Sequence, residues 1–326
     1  MTGHDVIIST EGAAGHITLN RPKVLHALTP GMCRDITDAL LAWEDDPRIN
    51  SVTISSSGDR GFCAGGDIRW LYENLQAGNH GVLEFFRAEY RMNHLLFTFR
   101  KPVTCMMNGI VMGGGAGIAM PCRHRVANEA TQFAMPETGI GLFPDVGGGW
   151  FLSRLPGRIG EWLALTGARL DGADCLELGL ATSFLPQPPL HLGRIGALRS
   201  AIDRLFASEQ IEDIIAALKS DKSDFAIEQL ATIMKRSPLS CKVALRQLRE
   251  SRKLTQFSDN MRMEFRVVAR LTANPDIREG IRAFIIDKDE SPRWSPRHFE
   301  DVTDGQIDAI FEPLPEADEW TPLQRD

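Results

Sequence analysis

Two carboxylates, Glu137 in MPETGIG and Asp145 in LFPDVGGG, lie eight residues apart in sequence broken by glycine and proline. Neither sits on a charged helical face, and Met135, Ile140, Leu142 and Phe143 give them apolar neighbours. Burial penalises the ionised form, so a carboxyl held there titrates above its ordinary range and suits acid–base work. A plainer role fits the same residues: a loop-stabilising hydrogen bond, common for Asp after proline. Two glycine-rich stretches, residues 61–67 (GFCAGGD) and 108–117 (NGIVMGGGAG), supply a second kind of group. Glycine lets a backbone N–H approach a ligand with no side chain in the way. Two such N–H groups from different loops, aimed at one oxygen, form an oxyanion hole. Either stretch alone would serve equally as a tight turn or a close packing point.

Other catalytic devices are missing. The chain has no GxSxG elbow, no HExxH among its eight histidines and no GxxxxGK[ST] loop. GGGAG at 113–117 lacks the third glycine offset of a dinucleotide fingerprint. The six cysteines are scattered, with no CxxC pair, which reads as reduced thiols and no metal centre. A net charge of −7 without a Lys/Arg run removes the usual footprint of a nucleic-acid binder. Residues 1–10 carry neither a basic flank nor an apolar core of a signal peptide. No apolar run approaches the roughly 18–20 residues of a membrane span. The expectation is a soluble, cytoplasmic protein without membrane or nucleic-acid partners.

The elements that must carry these loops are legible in part. Residues 6–10 and 16–19 flank a turn at 11–15 and read as a hairpin. Thr29 is placed to cap a helix starting at Pro30, with Ile36, Ala39, Leu40 and Trp43 at helical spacing. Short strands are expected at 51–55, 103–107, 126–127 and 132–134, with a helix running from the second glycine stretch to Met120. Strand–helix units of this length argue for an α/β fold built by crossovers. From Arg158 to Ile286 nearly everything reads as helix, notably 211–218, 225–234, 243–248 and 261–271, interrupted by the proline-rich 186–189. The acidic, Pro-containing tail at 313–326 is expected to be loosely ordered.

Four segments in order and register resemble the crotonase (enoyl-CoA hydratase/isomerase) superfamily: ITLNRPKVLHAL at 17–28, GFCAGGDI at 61–68, KPVTCMMNGIVMGGGAG at 101–117 and FAMPETGIGLFPDVGGG at 133–149. The resemblance implies a ClpP-like spiral of ββα units over 1–190 that binds an acyl-CoA ester, followed by a helical C-terminal region over 191–326. It implies oxyanion-hole N–H groups on Gly66 and Gly114, and contacts to the pantetheine and adenine from Val24, Ala64, Asp67 and Ile68. Hydratases of this superfamily use two glutamates. The first position is Gly117 here, the second is Glu137, and Asp145 stands where a glycine is typical.

Residues 85–90 (FFRAEY), 237–251 and 276–294 look like the segments characteristic of the 3-hydroxyisobutyryl-CoA hydrolases within that superfamily. That resemblance brings Glu89 to the acyl pocket as acceptor for a 3-hydroxyl, although a helical Glu is ordinarily a solvated one. It implies hydrolysis of a branched β-hydroxyacyl-CoA in valine degradation, with Glu137 as nucleophile or general base and Asp145 orienting water or substrate. No separate cofactor is implied, since CoA is part of the substrate. Crotonases commonly form trimers, so the resemblance implies a homo-oligomer unless the C-terminal extension covers that surface. The competing readings are a hydratase or isomerase on the same fold and a non-catalytic CoA-ester-binding subunit.

Overall fold

The computed structural model describes residues 4–325 except His80, Gln187, Leu190 and Leu192. Strands β1 (Val6–Glu11) and β2 (Ala14–Leu19) form the expected hairpin, with Gly12 at φ +57 in the turn. Alternation along β2 sends Ile17 and Leu19 into the core. Helix α1 (Pro30–Glu44) begins at its Thr29 cap, whose hydroxyl accepts the Met32 N–H at 3.2 Å.

The chain then deals strands out in pairs. β3 (Ser51–Ser56) and β4 (Gly61–Cys63) precede α2 (Ile68–Gln76) and α3 (Gly81–Thr98). β5 (Val103–Met106) and β6 (Ile110–Met112) precede α4 (Gly114–Ala119). β7 (His124–Ala127) and β8 (Gln132–Ala134) precede α5 (Gly148–Leu152) and α6 (Ile159–Thr166). The first strand of each pair joins one sheet and the second joins another. The result is a ββα spiral. β9 (Leu170–Asp171), α7 (Gly172–Glu177) and β10 (Ser183–Phe184) complete the sheets, ordered β1-β2-β3-β5-β7-β10 and β4-β6-β8-β9. Within the spiral, β3, β5 and β7 run parallel, as do β4, β6 and β8.

The remaining helices are α8 (Ile195–Leu205), α9 (Ile211–Ser220), α10 (Asp224–Ile233), α11 (Pro238–Lys253), α12 (Phe257–Leu271), α13 (Pro275–Ile281) and α14 (Asp304–Phe311). A π-helical turn, Arg282–Ile286, extends α13. The region expected to be helical is so, apart from β9, β10 and the connection between α7 and α8 around the proline-rich 186–189, of which Gln187 lies outside the described residues. The two strands have two residues each, too short for a period-2 pattern, and their pairing comes from strands far away in sequence.

The tail corrects an expectation. Trp320 is fully buried, edge-on to His94 of α3 with ring centres 5.7 Å apart. Arg87 donates to the carbonyls of Asp318 and Glu319, Arg91 to that of Thr321, and Arg325 pairs with Glu44 at 2.8 Å. Composition suggested a solvated segment, but one indole and a match of carbonyls to arginines along α3 suffice to dock it. All six cysteines are free and buried. Among the described residues no helix is long and apolar enough to cross a membrane.

Candidate active site

A cavity of about 410 Å³ opens where the ends of β4 and β6 meet α3 and the loop after β8. The first glycine loop is fixed by reciprocal bonds: the Leu28 N–H donates to Gly65 O and the Asp67 N–H to Leu28 O, both at 2.8 Å. That pairing leaves the intervening Gly66 N–H without an acceptor among the described residues. Gly114 opens α4, where a first-turn N–H has no carbonyl one turn back to bond. A Cβ on Gly114 would lie 3.4 Å from Gly66 N and would collide with Glu89 Oε1. The two free N–H groups therefore converge from separate loops, beside a carboxylate, in the manner of an oxyanion hole.

Three carboxyls face this point. Glu137 heads a 3-10 turn, Glu137–Ile140, that the chain makes as soon as it leaves β8 through Pro136. It is buried, and neither carboxyl oxygen has a partner among the described residues. A Cβ on Gly113 would sit 3.2 Å from Glu137 Oε1, which puts this carboxylate against the second glycine loop. Glu89 lies on the inner face of α3, only 2% exposed, with Oε1 unpartnered. Asp145 is buried too, and accepts a 2.8 Å hydrogen bond from the Tyr90 hydroxyl.

Burial is the leading cause that pushes all three carboxyls up, and their mutual repulsion adds to it for Glu89 and Glu137. Glu89 and Glu137 stand well above the ordinary carboxylate range, whereas Asp145 is pushed up to about 7 because the Tyr90 hydroxyl opposes the shift. The first negative charge of the cluster thus belongs on Asp145, the carboxylate with a donor. The cluster titrates as a unit.

Gly117 explains which chemistry the site has room for. A Cβ there would lie 2.6 Å from Val146 Cβ, and Asn93 Nδ2 closes the other side by donating to Gly117 O at 2.9 Å. The space a glutamate would need is filled by Val146, the residue after Asp145. Val146 has φ +53, an outlying conformation for a β-branched side chain, and Gly147 follows at φ +91. The turn is gripped from the C-terminal helices. Glu264 of α12 accepts the Gly147 and Gly149 N–H groups at 2.7 and 3.0 Å, and Gln247 of α11 donates to Pro144 O at 2.7 Å.

Of the residues singled out from sequence, Gly66, Gly114, Glu137, Asp145, Glu89, Ala64, Asp67 and Ile68 all line the cavity. Val24 does not; it is 47% exposed on the 3-10 turn Pro22–Val24. The Asp67 carboxylate is engaged by the fold, capping α2 through Trp70 N and pairing with Arg21 at 3.1 Å. Sequence reasoning missed Tyr90, Glu264, Arg169 and Arg236, the two arginines also lining the cavity. A signal existed for Tyr90 and Glu264. Phe85, Phe86, Glu89 and Tyr90 form one helical stripe, and Glu264 interrupts the apolar stripe of Met261, Phe265 and Val268.

The sequence model of the enoyl-CoA hydratase/isomerase family matches residues 14–194 and 189–311. A mitochondrial 3-hydroxyisobutyryl-CoA hydrolase of Gallus gallus is 42% identical, the match covering 95% of this chain and 89% of that protein. The enzyme of the same name from Homo sapiens is 40% identical, over 96% of this chain and 90% of its own. Among solved structures, an enoyl-CoA hydratase from Rhodobacter sphaeroides 2.4.1 superposes with a TM-score of 0.93 at 39% identity, covering 98% of this chain and all of that one. A carnitinyl-CoA dehydratase from Mycobacterium thermoresistibile gives the same TM-score at 36% identity, covering 98% of this chain and 99% of its own.

Proposed function

The chain belongs to the enoyl-CoA hydratase/isomerase family, and from that premise we propose that it hydrolyses 3-hydroxyisobutyryl-CoA to 3-hydroxyisobutyrate and CoA, a step of valine degradation. The observation that carries this reading is Val146 packed over Gly117: the site has no room for the first hydratase glutamate and gains Asp145 beside it. The relatives that share about 40% of the sequence and bear the hydrolase name support the same choice.

In the proposed reaction the thioester carbonyl oxygen lies between the Gly66 and Gly114 N–H groups. As the carbon is attacked, charge moves onto that oxygen and the two donors stabilise it, each worth roughly 2.7–4 kcal/mol by analogy with other oxyanion holes. Glu137 delivers the attack. Either it adds to the carbonyl and forms a mixed anhydride that water cleaves, or it takes a proton from a water that adds directly. Collapse of the tetrahedral intermediate breaks the C–S bond, and the thiolate of CoA takes up the proton given up by the water, which the ionised Asp145, held by Tyr90, orients. The orphaned Glu89 Oε1 accepts the 3-hydroxyl of the substrate. An acyl group without that hydroxyl leaves a buried polar atom unpaired, which is a source of selectivity.

The division into a spiral core over 1–190 and a helical region over 191–326 belongs to the same proposal. So do the absence of a separate cofactor and self-association of the chain. We place the enzyme in the cytoplasm on its six free, buried cysteines, which suit a reducing compartment; the relatives named above carry a mitochondrial label. The test is thiol release from 3-hydroxyisobutyryl-CoA and crotonyl-CoA by the wild type and Glu137→Gln. Release from the hydroxyacyl ester alone, lost in the variant, is the expected result. Loss of the crotonyl chromophore with no thiol released from either ester overturns the reading in favour of a hydratase.

A further inference from the structure

Glu264 is the buried acid that the reaction above leaves unused. It is wholly inside the protein and does not line the cavity, yet it has four donors. Oε2 accepts the Gly147 N–H at 2.7 Å, and Oε1 accepts Gly149 N at 3.0 Å, Gln247 Nε2 at 2.9 Å and Asn260 Nδ2 at 2.8 Å. Gln247 Nε2 also holds Pro144 O. Backbone groups on both sides of Asp145 are thus tied to one network that originates in α11 and α12, more than a hundred residues downstream.

What the network holds is a turn that its sequence does not favour. Val146 and Gly147 are consecutive left-handed residues, and a β-branched side chain has little reason to remain at φ +53 unless something fixes the N–H groups that follow. Successive N–H groups in such a turn point to one side and make a small anion cradle. Here the protein's own Glu264 carboxyl fills the cradle; burial raises its pKa to about 8, and the four donors work against that shift by favouring the ionised form. The turn has two consequences in the cavity: it seats Val146 over Gly117, and it directs Asp145 to Tyr90.

We propose that Glu264 is a positioning residue of the hydrolysis, through which the C-terminal helices set the aim of Asp145 by holding the Val146–Gly147 turn, with no contact to substrate. The inference rests on the hydrolase reading above. It differs from a purely structural role, which would lower the melting temperature and leave the turnover of the folded enzyme alone.

The experiment is steady-state thiol release from 3-hydroxyisobutyryl-CoA by the full chain carrying Glu264→Gln, Val146→Gly or both. The amide keeps the size of the side chain but turns an NH2 group toward backbone or side-chain donors. We expect kcat to fall about 10- to 100-fold with KM changed by less than about threefold, the mark of an interaction felt in the transition state. Glycine takes positive φ without steric cost, so in the Val146→Gly background the loss from Glu264→Gln should shrink at least about fivefold. Equal losses in both backgrounds, or an unchanged kcat with a lower melting temperature, overturn the proposal. If Glu264→Gln does not fold, Asn260→Ala removes one donor and keeps both backbone bonds. A severalfold loss of kcat at constant KM then supports the proposal, and an unchanged kcat overturns it. Failure of the wild type to release thiol would instead sink the hydrolase reading, whatever the variants do.

Discussion

Replacing Tyr90 by Phe removes one atom from the site, and its effect on the pH dependence can be worked out in advance. The Tyr90 hydroxyl donates to Asp145 at 2.8 Å in a setting where both residues are buried. A hydrogen bond to a charged group contributes about 1.5–3 kcal/mol, and about 1.4 kcal/mol corresponds to one pKa unit. The bond favours the ionised carboxylate, so its loss raises the pKa of Asp145 from about 7 by roughly one to two units. If turnover requires the first ionisation of the carboxyl cluster, kcat/KM of the wild type rises with pH through about 7. In Tyr90→Phe the rising limb moves up by the same one to two units. At pH 7 the ionised fraction drops from about one half to between about 9% and 1%, a loss of roughly 5- to 50-fold. Near pH 9 to 10 much of that activity returns. The assay is thiol release from 3-hydroxyisobutyryl-CoA between pH 5 and 10, with circular dichroism to confirm that the variant stays folded. A limb that stays in place while the rate falls equally at every pH would refute the argument. It would mean that Tyr90 matters for shape and not for the charge on Asp145.

Three further outcomes follow from the same geometry. Glu137 is held well above its usual range by burial and by Asp145, so its contribution to stability is complete below about pH 4 and is lost as pH rises toward its folded value. Glu137→Gln, inactive as it should be, is therefore expected to melt higher than the wild type at pH 8, with the gap closing at pH 5; a gap that widens toward acid contradicts the assigned burial. Gly117→Glu does not create a hydratase, because the new side chain meets Val146 at 2.6 Å; it should lose at least about 2 kcal/mol of stability in urea denaturation and show no hydration of crotonyl-CoA. Trp320→Ala empties a fully buried site in the tail and should cost about 3–5 kcal/mol by the same measurement, whereas a loosely attached tail would cost almost nothing.

How much of this was legible beforehand depends on how far apart the cooperating residues are in sequence. The hairpin at 6–19, the Thr29 cap, the strands at 51–56 and 103–106 and the long C-terminal helices are local matters of alternation, capping and period. β4 and β6 were hidden inside glycine stretches, because a strand of three residues is too short to display a period-2 pattern. For the site, the sequence by itself determined its chemical inventory: two glycine loops, Glu137, Asp145, Glu89 and a Gly at 117. It did so because each of those residues acts through its type and its immediate backbone.

Only the tertiary structure decided which groups meet. Nothing local to FFRAEY says that Glu89 is buried with an orphaned oxygen, or that Tyr90 reaches Asp145 55 residues away. Nothing in PDVGGG says that Glu264 will fill its turn or that Val146 will occupy the space above Gly117. The acidic tail was misjudged for the same reason, since its order depends on arginines of α3 that lie some 230 residues earlier. Burial and long-range hydrogen bonds are properties of the packed chain. They fix charge, proton position and room for a side chain, and so they select hydrolysis from among the reactions that this set of residues allows.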